Sequence, residues 1–353
     1  MAPDASGPDR FVAWLDGSPL SRDLVGGKAS SVSRLASLGA PVPAAFALTT
    51  RAHDEFTATN GLSRRVAEIT LDDLPRVRDT IMSAPLPASI ASALARGYRT
   101  FAERMDTDIS LAVRSSGTAE DSAAFSFAGL HDTVLDVRTL PALERAVRQC
   151  WASLWSDRAV AYRLDRGMAE QASDIAVVVQ QLVRSDVSFI AFTSDPVTHD
   201  SGRIVIDAAW GLGESIVSGL VVPDHITIGD DGHVLDYNVG DKHLMVIPGD
   251  GPEFGTREVP VPRALRRHPV LTHEQAREIA RLARDISRKL DFEADLEGGI
   301  AGGVIHLFQA RPITTLETTP IAMERSTALV VRDILSIAGA PGAPASNLIV
   351  SQE

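Results

Sequence analysis

Cysteine is almost absent from this 353-residue chain: Cys150 stands alone, which excludes a disulfide framework and a thiolate metal cluster and leaves it as a small apolar core residue. No apolar run approaches the length needed to span a bilayer, so no membrane partner is expected. The start, Met1-Ala2-Pro3-Asp4-Ala5, has neither the basic nor the apolar region of a secretion signal, and a cytoplasmic setting is expected. A basic excess is also lacking. Lys and Arg total 34 against 46 Asp and Glu, a formal net charge of −12 at pH 7. A nucleic-acid surface needs clustered cations to displace counterions, so no nucleic-acid partner is expected and any anion site must be local. Lysine itself is scarce: Lys28, Lys242 and Lys289 are the three in the chain. A compact ammonium kept in an arginine-rich background draws notice, because lysine meets phosphate as a point charge that arginine does not freely replace. There is no Gly-x-x-x-x-Gly-Lys-Ser/Thr, so a Walker A loop is excluded, and no internal repeat marks an array.

What is present reads as an ordinary globular chain, with 44% hydrophobic and 23% charged residues and enough length for two or three lobes. The first 20 residues are turn-rich. Gly26-Gly27-Lys28 then opens a helix with Val32, Leu35 and Leu38 on one face, stopped by Gly39 and Pro41. Residues 51–105 alternate short helical patterns with Pro75, Pro85 and Pro87 and read as a helical insertion. Leu111 to Arg114 is a short strand followed by a loop from Ser115 to Gly129. Residues 140–168 look helical, with Trp151, Leu154 and Trp155 on a core-facing side. Ile175 to Val183 reads as a strand buried on both faces, and further strands are expected at Ile190 to Thr193, Arg203 to Ala208 and Val221 to Ile228. Hairpins are expected across 229–270. Thr272 and Gln275 make a capping box for a helix whose stripe is Ile279, Leu282, Ile286 and Leu290. After Leu316 the pattern loosens into a tail with one helical stretch near 321–338.

The most informative pairing is Asp295-Leu296-Glu297 with Gln309-Ala310-Arg311-Pro312. Ala301-Gly302-Gly303 between them implies a β-hairpin turn, which sets Glu297 opposite residues 307 to 309 and puts Gln309 and Arg311 on one face. Carboxylate and amide oxygens suit Mg²⁺, and a guanidinium fork suits phosphate. A polar strand face in water has the same spacing. Gly26-Gly27-Lys28 at a helix start suits a phosphate contact through outward N–H groups and the helix dipole. Val113-Arg114-Ser115-Ser116, running on through Glu120-Asp121 to Ser126-Phe127-Ala128-Gly129 and Asp132-Thr133, suits a clamp over transferring phosphates, or equally a solvated loop with a salt bridge at its base. Gly211-Leu212-Gly213-Glu214 is a tight turn whose Glu214 is a metal neighbour, a ribose contact or neither.

These blocks, with Phe192-Thr193-Ser194-Asp195-Pro196 and Pro223-Asp224 among them, occur in an order that resembles the ATP-binding domain of pyruvate phosphate dikinase, phosphoenolpyruvate synthase and rifampicin phosphotransferase, from about residue 10 to 316. The resemblance implies an α/β (α+β) fold of ATP-grasp type, with the nucleotide between two lobes. Residues 1–185 would form the N-terminal lobe, 186–316 the C-terminal lobe with the metal and phosphate hairpin, and 317–353 a tail. It further implies that ATP and Mg²⁺ are bound and that the β-phosphoryl group passes, formally as pyrophosphate, to a histidine on a swivelling domain, leaving AMP. Lys28 and Arg114 would bind the triphosphate, Glu297 and Gln309 would hold Mg²⁺, and Arg311 would neutralise charge on the transferred group, so that Lys28, Arg114 and Arg311 are the catalytic candidates. Ser126 and Gly129 would lie in a loop closing on the phosphates, the strand ending at Gln180, Gln181 and Leu182 would offer backbone to adenine, and Glu214 would complete the nucleotide set.

None of the nine histidines sits in a Thr-x-His-Ala-like setting; His273 follows Thr272, but before Glu274 in a helix cap. The resemblance therefore implies a separate phosphohistidine-bearing partner protein and a small-molecule acceptor. The alternatives are direct phosphorylation of a small-molecule hydroxyl, a non-catalytic ATP-sensing subunit, and a portion of a longer dikinase-like enzyme. Four residues depart from the family's usual pattern: Leu130 for Gln, Phe189 for Gly, Glu293 for Pro and Gly298 for an aromatic. Phe189 is the most awkward, since its ring would narrow the nucleotide pocket if it pointed there.

Overall fold

The computed structural model describes residues 10–62, 69–104, 109–118, 133–165, 167, 174–198, 200–250 and 255–313, all within one compact unit, Met1–Leu316. Two antiparallel sheets organise it. The first has the order β1-β2-β5-β3-β4, from β1 (Val12–Trp14), β2 (Ala45–Leu48), β3 (Leu111–Gly117), β4 (Thr133–Val137) and β5 (Ile175–Gln181). The unbroken apolar run of β5 belongs at the centre, where both faces are covered. Alternation divides its side chains. Val177 and Val179 join Phe46, Leu48, Leu111 and Val113 in a core with Phe56, Phe101, Trp151 and Trp155. Val178 instead joins Ala45 and Ala47 beneath Val25, Ala29 and Val32 of helix α1 (Arg22–Ser37). Arg114 and Ala112 on β3 pair with Val178 and Gln180, so Arg114 and Gln180 lie on the α1 side of this sheet.

The helices α2 (Thr50–Thr59), α3 (Leu74–Ser83), α4 (Ala88–Arg104) and α5 (Leu140–Ala152) fill the opposite face. The stretch expected to be helical thus supplies α2, α3 and α4, which pack into the first core. Three expectations are corrected here. The N-terminal stretch contains β1, and β3 does not end at Arg114 but continues through Ser115-Ser116-Gly117 in register with β5. The 140–168 helix is broken by a 3₁₀ turn, Ser153–Trp155, before α6 (Asp157–Asp165). The 321–338 stretch lies outside the described residues.

The second sheet has the order β13-β12-β6-β7-β8-β9, from β6 (Val187–Phe192), β7 (Arg203–Trp210), β8 (Asp224–Gly229), β9 (Val234–Asn238), β12 (Ala294–Ala301) and β13 (Val304–Pro312). Between them lie the short helix α7 (Glu214–Val217) and a separate hairpin of β10 (Leu244–Pro248) and β11 (Thr256–Pro260). Helix α8 (His273–Leu290) begins at the expected capping box, Thr272 Oγ1 accepting from Gln275 N at 3.1 Å and Gln275 Oε1 from Thr272 N at 2.9 Å. Its stripe of Ile279, Ala283, Ile286 and Leu290 covers one sheet face, packing on Ala191, Ile206, Ala208 and Ile226. The other face carries Ile190, Asp207 and His225 in one cross-strand row with Glu297 and Gln309. No helix among the described residues is long and apolar enough to cross a membrane.

Phe189 belongs to the α8 core and does not turn toward the Glu297 face. It pairs across the strands with Gly298, where a Cβ would meet Phe189 Cζ at 2.4 Å. The two departures are thus one arrangement: the ring rises from β6 and occupies the space above the bare Gly298. Glu293 also has a partner, accepting from Thr193 Oγ1 at 2.5 Å beside the start of β12.

Candidate functional site

The hairpin forms in the register expected. Gly302 and Gly303, both with positive φ, make a two-residue turn between Ala301 and Val304, which pairs Glu297 with Gln309 and Asp295 with Arg311. A register shift after Glu297 leaves all four side chains of these two pairs on one face. Arg311 donates to Asp295 Oδ2 from Nε and Nη2, both at 2.8 Å, and Asp295 is 6% exposed. Asp295 was part of the motif but not singled out as a site residue; its cross-strand position opposite Arg311 was the available signal.

Arg114 reaches this hairpin from the other sheet. Its Nη2 donates to Glu297 Oε2 and to Gln309 Oε1, each at 2.9 Å, across 183 and 195 residues of chain. The Glu297 side chain is 22% exposed and that of Arg114 14%. Burial alone would raise the Glu297 pKa, but Arg114, Arg311 and Lys28 outweigh it and hold the carboxyl below its ordinary range, so it is ionised at neutral pH. Lys28 is thereby within electrostatic reach of the same carboxylate as the two arginines.

Lys28 is delivered by a break in α1. Gly26 has φ 76° and ψ 175°, and a Cβ there would fall 2.0 Å from the Ser116 carbonyl oxygen. The regular helix starts after it, and Ser116 serves as its cap, with Oγ donating to the Val25 carbonyl at 2.8 Å and accepting from Ala29 N at 3.1 Å. This explains why the polar Ser115-Ser116 pair continues a strand. The Ser116 hydroxyl is consumed in docking β3 to α1, which brings Arg114 and Lys28 to the same side.

The other lysines have structural duties. Lys242 is fully buried in an ion pair with Asp224 and also donates to the Gly240 carbonyl at 2.9 Å. Asp224 further accepts from Gly240 N at 2.9 Å, Val270 N at 2.8 Å and the Tyr237 hydroxyl at 3.1 Å. The Pro223-Asp224 block is thus a buried tie between β8 and the segment leading to α8. Lys289 makes a surface pair with Asp285 at 2.7 Å.

Gln180 is 2% exposed on the Arg114 face, and its Nε2 is buried without a hydrogen-bond partner among the described residues. Gln181 and Leu182 commit their N–H groups to the Ala44 and Ser110 carbonyls, each at 2.9 Å, so those two amides are not on offer to a ligand. Glu214 stands at the start of α7 and accepts from Thr256 Oγ1 at 2.8 Å; its engagement is with the β10–β11 hairpin. Ser126 and Gly129 lie outside the described residues.

The donor set fits one hard cation. The Glu297 and Gln309 oxygens converge on a single nitrogen, as ligands of a common centre do, and both are oxygen donors of the kind Mg²⁺ takes. No group of three or more His, Cys, Asp or Glu among the described residues is arranged for a metal, so a cation held here would complete its shell with water and phosphate oxygens.

Comparison with known proteins bears on the same residues. Residues 22–328 match the family described as Pyruvate phosphate dikinase, AMP/ATP-binding domain. The chain is 34% identical over 361 aligned residues to a probable phosphoenolpyruvate synthase of Methanothermobacter thermautotrophicus, covering 98% of this chain and 52% of that protein. It is 39% identical over 319 residues to the prodigiosin synthesizing transferase PigC of Serratia marcescens, covering 90% and 34%, respectively. It is 37% identical over 308 residues to a rifampicin phosphotransferase of a Streptomyces species, covering 84% and 35%. The chain spans between about a third and about half the length of these three relatives. With a match that takes in α1, β2 to β5 of the first sheet, all of the second and the Glu297–Arg311 hairpin, the chain belongs to the pyruvate phosphate dikinase AMP/ATP-binding domain family.

Proposed function

We propose that this chain is the Mg²⁺-dependent, ATP-binding component of a phosphotransferase. It would cleave ATP to AMP and pass the β-phosphoryl group, formally as pyrophosphate, to a histidine of a separate partner protein, for onward phosphorylation of a small molecule. The observation that carries this reading is Arg114 of one sheet meeting Glu297 and Gln309 of the other, with Lys28 and Arg311 acting on the same carboxylate. Phosphoryl transfer needs positioning and charge neutralisation more than covalent help, and three cations around an ionised carboxylate supply both. The names of the relatives, a phosphoenolpyruvate synthase and a rifampicin phosphotransferase among them, support transfer chemistry.

In this reading the nucleotide lies between the two sheets. Mg²⁺, when bound, neutralises phosphate charge from the Glu297 and Gln309 oxygens. Arg114, which holds those two oxygens in the nucleotide-free chain, turns to the phosphates, where a guanidinium has oxygens of the same geometry to bind. Lys28 holds the triphosphate beside the start of α1. Arg311, kept in place by Asp295, faces the transferred group. The Gln180 Nε2, which has no hydrogen-bond partner among the described residues, supports an adenine contact near the end of β5. A histidine nitrogen of the partner attacks the β-phosphorus, the bond from that phosphorus to the α–β bridging oxygen breaks, and AMP leaves with the oxygen.

³¹P NMR of ATP and Mg²⁺ with this chain, with and without candidate histidine-bearing proteins, tests the proposal. AMP formed only with a partner is the expected result. AMP or ADP formed with a small acceptor alone would replace the partner step with direct transfer, and nucleotide that binds but never turns over would make the chain a sensor.

A further inference from the structure

We infer that Ser31 is a positioning residue that sets Lys28 against Gln309 and Arg311; the inference rests on the nucleotide reading given above. β13 is the edge strand of the six-stranded sheet, so among the described residues no strand bonds the peptide groups along its outer side. At Ala310, between Gln309 and Arg311, both peptide groups of the residue are taken by one hydroxyl. Ser31 Oγ donates to the Ala310 carbonyl oxygen and accepts from Ala310 N at 3.2 Å. A helical serine thus stands in for a neighbouring strand at the residue flanked by the candidate metal ligand Gln309 and the candidate phosphate contact Arg311. Ala310 is 4% exposed, so water does not replace the bond freely.

Ser31 lies one turn after Lys28 on α1, a spacing that puts both on the same helix face. The hydroxyl therefore fixes the distance between the ammonium and the two β13 side chains along the helix axis. Neither stability nor docking of α1 depends on this bond alone. Arg34 Nη2 also donates to the Leu290 carbonyl at 2.8 Å, and Leu307 N donates to the Pro41 carbonyl at 2.9 Å. These outlying ties hold α1 and its following loop on the second sheet, while the Ser31 bond sets local register beside the phosphates. Triphosphate contacts should be sensitive to that register, and contacts to the nucleoside should not.

The test compares binding of Mg²⁺·ATP and of AMP by calorimetry in the unaltered chain, Ser31→Ala and Ser31→Thr, with urea midpoints recorded alongside. Ser31→Ala is expected to weaken Mg²⁺·ATP by about tenfold or more while AMP affinity stays within about twofold, and Ser31→Thr, which keeps the hydroxyl, is expected to recover most of the loss. Equal ATP affinity in Ser31→Ala and the unaltered chain would overturn the inference and leave the nucleotide reading standing. Parallel loss of ATP and AMP affinity would overturn it too, reducing Ser31 to a folding residue. An unaltered chain that binds neither nucleotide would overturn the nucleotide reading, and this inference with it.

Discussion

Replacing Glu297 with Gln should reverse the metal dependence of ATP binding. Gln keeps an oxygen for the 2.9 Å bond from Arg114 and nearly the same volume, but removes the one negative charge on which Arg114, Arg311 and Lys28 converge. In the unaltered chain a phosphate charge brought to about 6 Å from that carboxylate is repelled by about 3 kcal/mol at an effective dielectric of about 20, unless a divalent cation lies between them. Without Mg²⁺, Glu297→Gln should therefore bind ATP about 30- to 100-fold more tightly than the unaltered chain. With Mg²⁺ it should bind less tightly, because an amide is the poorer ligand. The free chain should lose about 1–2 kcal/mol of stability, the difference between a charge-assisted and a neutral hydrogen bond. The pH dependence follows from sign. A carboxyl whose folded pKa is depressed stabilises the fold fully above its unfolded pKa of about 4.3, and that contribution fades as pH falls through the folded value. The stability gap between the unaltered chain and Glu297→Gln should be constant above about pH 5.5 and narrow below about pH 4. Calorimetry with Mg²⁺ and with EDTA, and urea titrations across that range, measure both. A ratio of ATP affinities with and without Mg²⁺ that is the same in the two proteins would refute the placement of metal and phosphate around Glu297.

Arg311→Ala should lower turnover by a factor of about 1,000 or more while weakening ATP binding by about tenfold, and Arg311→Lys, which keeps a charge beside the buried Asp295, separates lost catalysis from lost folding in the same AMP-release assay. Gly298→Ala places a Cβ 2.4 Å from Phe189 Cζ and 2.6 Å from the His306 carbonyl oxygen, so it should cost about 1–3 kcal/mol or more, read as a lower urea midpoint. Lys242→Met strands the fully buried Asp224 carboxylate and should cost about 3–5 kcal/mol, and adding Asp224→Asn should recover much of it; a loss below about 1 kcal/mol in the single variant would show that the backbone donors to Asp224 suffice.

The parts of the fold legible in the sequence are those whose period and punctuation are local. The α8 stripe and capping box, the apolar β5 run and the Gly302-Gly303 hairpin each carry their signal within about 20 residues. β1 and β2 were not legible, because strands of three and four residues are too short to show alternation, and they are held by pairing with each other and with β5. β3 was cut short at Arg114 because two serines and a glycine resemble a loop. What keeps them extended is pairing with residues 175–177 of β5, while the Ser116 hydroxyl satisfies the Val25 carbonyl and the Ala29 amide, 91 and 87 residues away.

The site follows the same division. Cross-strand neighbours such as Glu297 and Gln309 can be paired by counting from the turn, whereas Arg114 had only the ordered blocks of the family resemblance to join it to them. Lysine scarcity marked Lys28 and Lys242 alike, yet one acts electrostatically on the Glu297 carboxylate and the other lies buried against Asp224. Charge type therefore did not separate a site residue from a core residue; the partner did, and partners are set by the sheet on which each residue sits. The same reasoning resolves Phe189. Read singly, a large ring beside the nucleotide face was an obstruction, but parity on β6 sends it to the α8 side, where Gly298 leaves the space for it. Each substitution makes sense only with the other: strand parity, which keeps Ile190 beside Glu297, turns Phe189 to the opposite face, over Gly298.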